Sequence, residues 1–138
     1  MNTRFRFLLL VVLSAFAVSA CDSEVPPPLV ESFPEADALS YQHSSTSDGK
    51  EYELEQVVPH HQQVSSRALQ ACYKTVADPD IAPFKLIIAI SETGMVERVY
   101  LERETNLSLC ITAALLSDTF PRPPFSPFYQ GLSMSFPR

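Results

Sequence analysis

The sequence predicts an α+β domain of order α-β-β-α-β, a three-stranded antiparallel sheet with two helices packed on one face. Three observations carry this. Val64, Ala68, Cys72 and Val76 recur at four-residue spacing, the apolar stripe of a helix. FKLIIAIS (84–91) alternates strictly and is followed by SETG and a second apolar run, which reads as a hairpin. A second helical stripe over 105–117 leads through the proline-rich FPRPPFSP (120–127) into an aromatic closing strand.

Taken in order, Pro59 suits the first turn of a helix, where its missing N–H costs nothing. That helix spans about 18 residues, with Leu69 and Tyr73 flanking the stripe, and Asp78-Pro79 ends it. In the first strand Phe84, Leu86, Ile88 and Ile90 form one face; Lys85, Ile87, Ala89 and Ser91 form the other. Gly94 is placed for the positive φ of the turn. In MVERVYL (95–101), Met95, Val99 and Leu101 share parity with Glu97 while Val96 does not, so a bulge near Glu97 is needed. Thr105 or Asn106 can cap the second helix, whose buried stripe is Leu107, Cys110, Ile111, Ala114 and Leu115. The last strand, about 128–136, puts Phe128, Leu132, Met134 and Phe136 on one side and Tyr129, Gly131, Ser133 and Ser135 on the other. With both helices on one face, the opposite face (Lys85, Ala89, Ser133, Ser135) reads as small and weakly polar.

Upstream, residues 1–20 read as a signal peptide. Arg4 and Arg6 form the basic start, and Phe7 to Val18 is apolar apart from Ser14. That run is shorter than the ~20 residues a membrane span needs. Val18, Ser19, Ala20 and Cys21 resemble the bacterial lipoprotein box, which implies that Cys21 is lipidated and becomes the mature N-terminus. Asp22 resembles an inner-membrane retention signal. Residues 21–50, with Pro26, Pro27, Pro28, Pro34 and a Ser/Thr/Asp/Gly run at 44–49, read as a flexible acidic tether, and 51–138 as the domain. A coil of that length would hold the domain roughly 30 Å from the bilayer. Residues 21–60 carry nine acids against Lys50 alone, whereas 61–138 carry seven of each sign. A neutral domain has no basic footprint for nucleic acid.

The element order, the VVPHH…CY helix with Cys72-Tyr73, the hairpin, Cys110 in the second helix and Phe120-Pro121 before the last strand resemble the TonB C-terminal-like superfamily. Within it the pattern is most similar to the AgmX/PglI C-terminal type of envelope proteins, over about residues 55–138. The resemblance implies recognition of extended partner segments by strand addition at a sheet edge. Unlike the TonB energy transducers, this chain shows a lipid-anchor signal in place of an N-terminal spanning helix, so proton-motive coupling is not expected.

Side chains for chemistry are sparse. Cys72 and Cys110 lie on stripes of helices that should pack together. In an exported protein they read as a disulfide, with two inert buried thiols or a redox-active pair as the alternatives. His60 and His61 are adjacent, about 100° apart on a helix, and lack the spacing of a helical metal site; His43 lies in the tether. Ser65 and Ser66 have no evident His–Asp partners, three unclustered glycines make no phosphate loop, and Glu102 and Glu104 read as solvated. No catalytic residue, metal or cofactor is expected. The uncharged stretch Gly131, Leu132, Ser133, Met134 and Ser135 is the expected partner-binding edge. The sequence reading is therefore a periplasm-facing envelope lipoprotein, attached to the membrane through Cys21. It would work as a non-catalytic interaction or adaptor module for an envelope protein. The alternatives are a peptidoglycan-binding or structural assembly lipoprotein and, third, a thiol-redox protein.

Overall fold

The computed structural model describes residues 27–136. The expected signal peptide, Cys21, Asp22 and the start of the expected tether lie outside the described residues, as do Pro137 and Arg138. The chain runs through α1 (Phe33–Ser45), α2 (Ser47–Tyr52), a π-helical turn (Glu53–Val57), α3 (Val58–Thr75), β1 (Phe84–Ile90), β2 (Val96–Leu101), α4 (Asn106–Leu116) and β3 (Phe128–Met134). The sheet is antiparallel with order β2-β1-β3. From α3 onward the order is the predicted α-β-β-α-β.

The main core forms as the stripes dictate. Val64, Ala68 and Cys72 of α3 and Leu107, Ile111 and Leu115 of α4 are buried, and most of them pack on Phe84, Leu86, Ile88, Ile90, Phe128, Leu132 and Met134 of the sheet. Each large aliphatic side chain withdrawn from water there contributes about 1.5–3 kcal/mol. Thr105 caps α4: its hydroxyl accepts the Ser108 N–H at 3.0 Å while Ser108 Oγ accepts the Thr105 N–H at 2.8 Å. Gly94 has φ 87°, and a Cβ there would lie 2.0 Å from the Phe120 carbonyl oxygen. The β1–β2 register jumps from Ala89↔Arg98 to Ile90↔Val96, so Glu97 is the extra residue of a bulge, where the alternation requires it.

Two sequence expectations need correction. The stretch 21–50 is not a flexible tether throughout: from Phe33 it is helical and belongs to the domain. The second sheet face is not a bare polar surface either. Ile87, Ala89, Tyr100 and Tyr129 are buried there with Ala36 of α1, and Leu29, Val30, Phe33 and Leu39 pack around them. The physical reason is local. Glu35 accepts hydrogen bonds from the Ser32 N–H (3.1 Å) and Ser32 Oγ (2.7 Å), and Pro34 sits in the first turn, a start signal of the S-x-x-E type. The buried positions of α1 are Ala36 and Ser40, small residues with little hydropathy. Their size lets α1 lie close over Gly131, whose absent Cβ would stand 3.4 Å from Ser40 Oγ. Lys85 completes the docking by pairing with Asp37 and donating to the Tyr41 hydroxyl at 3.0 Å.

The helical run continues from Ser47 to Thr75, with a π turn just before Pro59. Proline cannot donate to the carbonyl four residues back, and its ring crowds that carbonyl. Here the Val58 N–H reaches back to the Glu53 carbonyl instead, a five-residue step.

Candidate functional site

The sheet has two outer edges, and both follow from its register. Glu102 N–H donates to the Lys85 carbonyl at 3.1 Å and Ser91 N–H to the Met95 carbonyl at 2.9 Å. Odd-numbered β1 residues therefore bond to β2, and even-numbered ones to β3. By the same alternation, the N–H and C=O groups of Tyr129, Gly131 and Ser133 point outward from β3. The expected partner-binding stretch thus lies on an edge strand, Gly131–Met134 within β3 and Ser135 just after it.

Part of that edge is already satisfied by the chain itself. The outward Tyr129 N–H donates to His43 Nδ1 at 3.0 Å, and the Gly131 carbonyl accepts from Gln130 Nε2 at 3.1 Å. Gln130 Nε2 also donates to Glu53 Oε1 at 2.9 Å, tying the π turn to the strand. Gln130 is buried, and its Oε1 has no hydrogen-bond partner among the described residues. His43 is held among Phe125, Phe128 and Tyr129, with ring centroids 4.9 to 5.6 Å away. Burial pushes its pKa down, and as an acceptor Nδ1 carries no proton.

On the α1 face, the backbone of Val30 is clamped at both groups. Its N–H donates to the Tyr129 hydroxyl at 3.1 Å; its carbonyl accepts from the Tyr100 hydroxyl at 2.7 Å and from Arg98 at 3.0 Å. Arg98 also meets Glu31 at 3.2 Å. Burial pushes the Tyr100 pKa up to about 12, so it remains a donor. Beside this clamp, Pro27, Pro28, Leu39, His43, Phe125, Pro127 and Tyr129 line an apolar groove of about 260 Å³.

Cys72 and Cys110 are joined in a disulfide with Cα atoms 5.9 Å apart, linking α3 to α4. His60 Nε2 meets Asp118 at 3.2 Å. His61 turns instead to Ser65, at 2.8 Å from Nδ1 to Oγ, and burial followed by the His60 charge holds its pKa down. The two histidines therefore face different partners, as their 100° offset requires. The Ser65–His61 pair was not evident in the sequence, although their i, i+4 spacing was a visible signal. Glu102 is not merely solvated: its Oε2 accepts the Lys85 N–H at 2.9 Å. No group of three or more His, Cys, Asp or Glu side chains suited to a metal ion occurs among the described residues. No described helix is long and apolar enough to cross a membrane.

Comparison with protein-family models, with curated proteins and with solved structures found no match to this chain.

Proposed function

We propose that this chain is a lipid-anchored envelope protein, attached through Cys21, whose α+β domain acts as a non-catalytic interaction module for another envelope protein. The lipoprotein-box residues support the anchor, and the resemblance to TonB C-terminal-like domains supports recognition by strand addition. The observation that carries the interaction reading is the sheet itself: three strands, helices on both faces, and edge strands that end the ladder on either side. Strand addition draws its affinity from main-chain hydrogen bonds and needs no signature side chains, which suits a chain so poor in catalytic constellations.

The clamp on Val30 changes the geometry of the anchor. A linker after Cys21 can include at most residues 22–29, eight in all. A coil of eight residues would span roughly 16 Å, at ~5–6 Å × √n, about half the reach of a coil running to residue 50. A partner would therefore be met close to the bilayer surface.

The test combines two measurements on full-length protein from membranes. Intact mass should show acyl chains on Cys21 and thiols at Cys72 and Cys110 that alkylate only after reduction. Cross-linking in the solubilised envelope should then recover one protein absent from a control with residues 84–134 deleted. An unlipidated mature chain, or recovery of sacculus fragments instead of a protein, would overturn the reading.

A further inference from the structure

The edge strand expected to recruit a partner, β3, is partly closed by His43 and Gln130. The opposite edge is not closed in this way. Hydrogen bonding of Lys85 to Glu102, with the register Ile87↔Tyr100 and Ala89↔Arg98, turns the N–H and C=O groups of Val99 and Leu101 outward from β2. The start of β2 is shielded by the Glu97 bulge and by the Met95↔Thr119 bridge, where Phe120 N–H donates to the Gly94 carbonyl at 2.8 Å. Beyond the bulge, no backbone or side-chain group among the described residues bonds to the outward groups of Val99 and Leu101. Their side chains are half-buried at the rim of the main core.

The charge along this edge that has no ion-pair partner among the described residues has one sign. Glu92 lies in the turn before β2, Glu97 at the bulge, and Glu102 and Glu104 at its exit. Glu92, Glu97, Glu102 and Glu104 have no cationic partner among the described residues. The two cations of the same stretch are engaged elsewhere, Arg98 by Glu31 and the Val30 carbonyl, and Arg103 by Asp80 and the Ala82 carbonyl. A second copy pairing through β2 would bring these carboxylates against their own kind, which is unfavourable across strands.

Building on the interaction reading above, we infer that the β2 edge at Val99–Leu101 is where this domain takes up a partner, and that the partner is an extended polypeptide segment alternating apolar and basic residues. Its main chain completes the ladder on Val99 and Leu101. Its apolar side chains cover the half-buried rim of the core, and its basic ones meet Glu97 and Glu102. The Glu97 bulge fixes where the added strand begins.

The experiment uses full-length chain in zwitterionic detergent and amide hydrogen exchange read residue by residue. The probes are an eight-residue peptide alternating Lys and Val and its Glu/Val counterpart. The Lys/Val peptide should slow exchange at Val99 and Leu101 about tenfold, and the Glu/Val peptide should leave them unchanged. Val99→Pro should abolish the protection, because it removes an N–H that makes no ladder bond and is tolerated on an edge. Glu97→Lys, which leaves the backbone intact, should weaken it several-fold even if the proline variant fails to fold. Protection at Gly131 and Ser133 instead, no protection by either peptide, or protection without peptide that rises with protein concentration would each overturn the inference. Envelope cross-linking that persists unchanged in Val99→Pro would also overturn it while leaving the interaction reading intact.

Discussion

At the scale of single residues, the least expected feature is that the N-terminal segment is tied to the sheet through the backbone of one residue as well as through its side chains. Val30 gives both backbone groups to two tyrosines from different strands. A neutral hydrogen bond of this kind contributes about 1 kcal/mol net. Tyr100→Phe and Tyr129→Phe should each lower stability by about that amount, and together they should expose the peptide bonds near Val30 to limited proteolysis while the rest of the domain resists. His43 works differently because it titrates. Its folded pKa lies below the ordinary value of about 6.5. The neutral form is thus favoured by folding. Its contribution is fully present above the unfolded pKa and is lost as pH falls through the lower, folded one. Urea unfolding should therefore show stability declining as pH falls from about 7.5 towards 5. His43→Gln, which does not titrate, should remove that part of the slope; an unchanged slope would assign it to other groups.

At the scale of elements, the same rules explain why β2 and α1 differ in how visible they are. The Glu97 bulge follows from alternation, because Val96, Val99 and Leu101 all need the core. The Gly94 turn follows from its sequence and is enforced by Phe120 as well as by the backbone angle. Gly94→Ala should cost about 2 kcal/mol or more from a positive φ combined with a close carbonyl, measured as a fall in thermal midpoint. Helix α1 is packed through small residues, so its tolerance runs the other way: enlarging the contact is what harms it. Ala36→Leu should destabilise by about 1–3 kcal/mol through overpacking against the sheet, whereas Tyr41→Leu, at a largely exposed position, should lose only the contact with Lys85.

For the whole molecule, the disulfide joins the two helices that cover one face, and α1 covers the other. In the chain-entropy model a closure of 38 residues contributes about 4 kcal/mol, a large share of the stability of a small domain. Replacing Cys72 and Cys110 by Ala should lower the denaturation midpoint accordingly, and reductant should have the same effect on the native chain. Deleting residues 27–45 gives a sharper contrast. If this stretch were a tether, stability would be unaffected. With α1 as a layer of the domain, the deletion bares Ile87, Ala89, Tyr100 and Tyr129 and should bring aggregation or loss of cooperative unfolding.

The sequence by itself determined the elements whose burial is carried by large apolar residues at a clear period. Phe84–Ile90 alternates, Val64, Ala68 and Cys72 stripe a helix, and Thr105 opens another; each of these signals is local and strong. The pairing of Cys72 with Cys110 was legible for the same reason, since both sit on the stripes that bring α3 and α4 together. Tertiary structure alone decided what covers the second face. Residues 33–45 carry too little hydropathy to announce a buried helix, although Ser32 and Glu35 spelled its cap; only the assembled sheet makes Ala36, against Ile87, Ala89, Tyr100 and Tyr129, and Ser40, against Gly131, a packing surface. Which edge stays open was also beyond the sequence. It depends on His43 reaching the outward Tyr129 N–H from far along the chain, on Gln130 turning back to the carbonyl of its neighbour Gly131, and on nothing comparable among the described residues reaching Val99 and Leu101. Such contacts are set by strand order and register, which emerge only when the whole sheet is assembled.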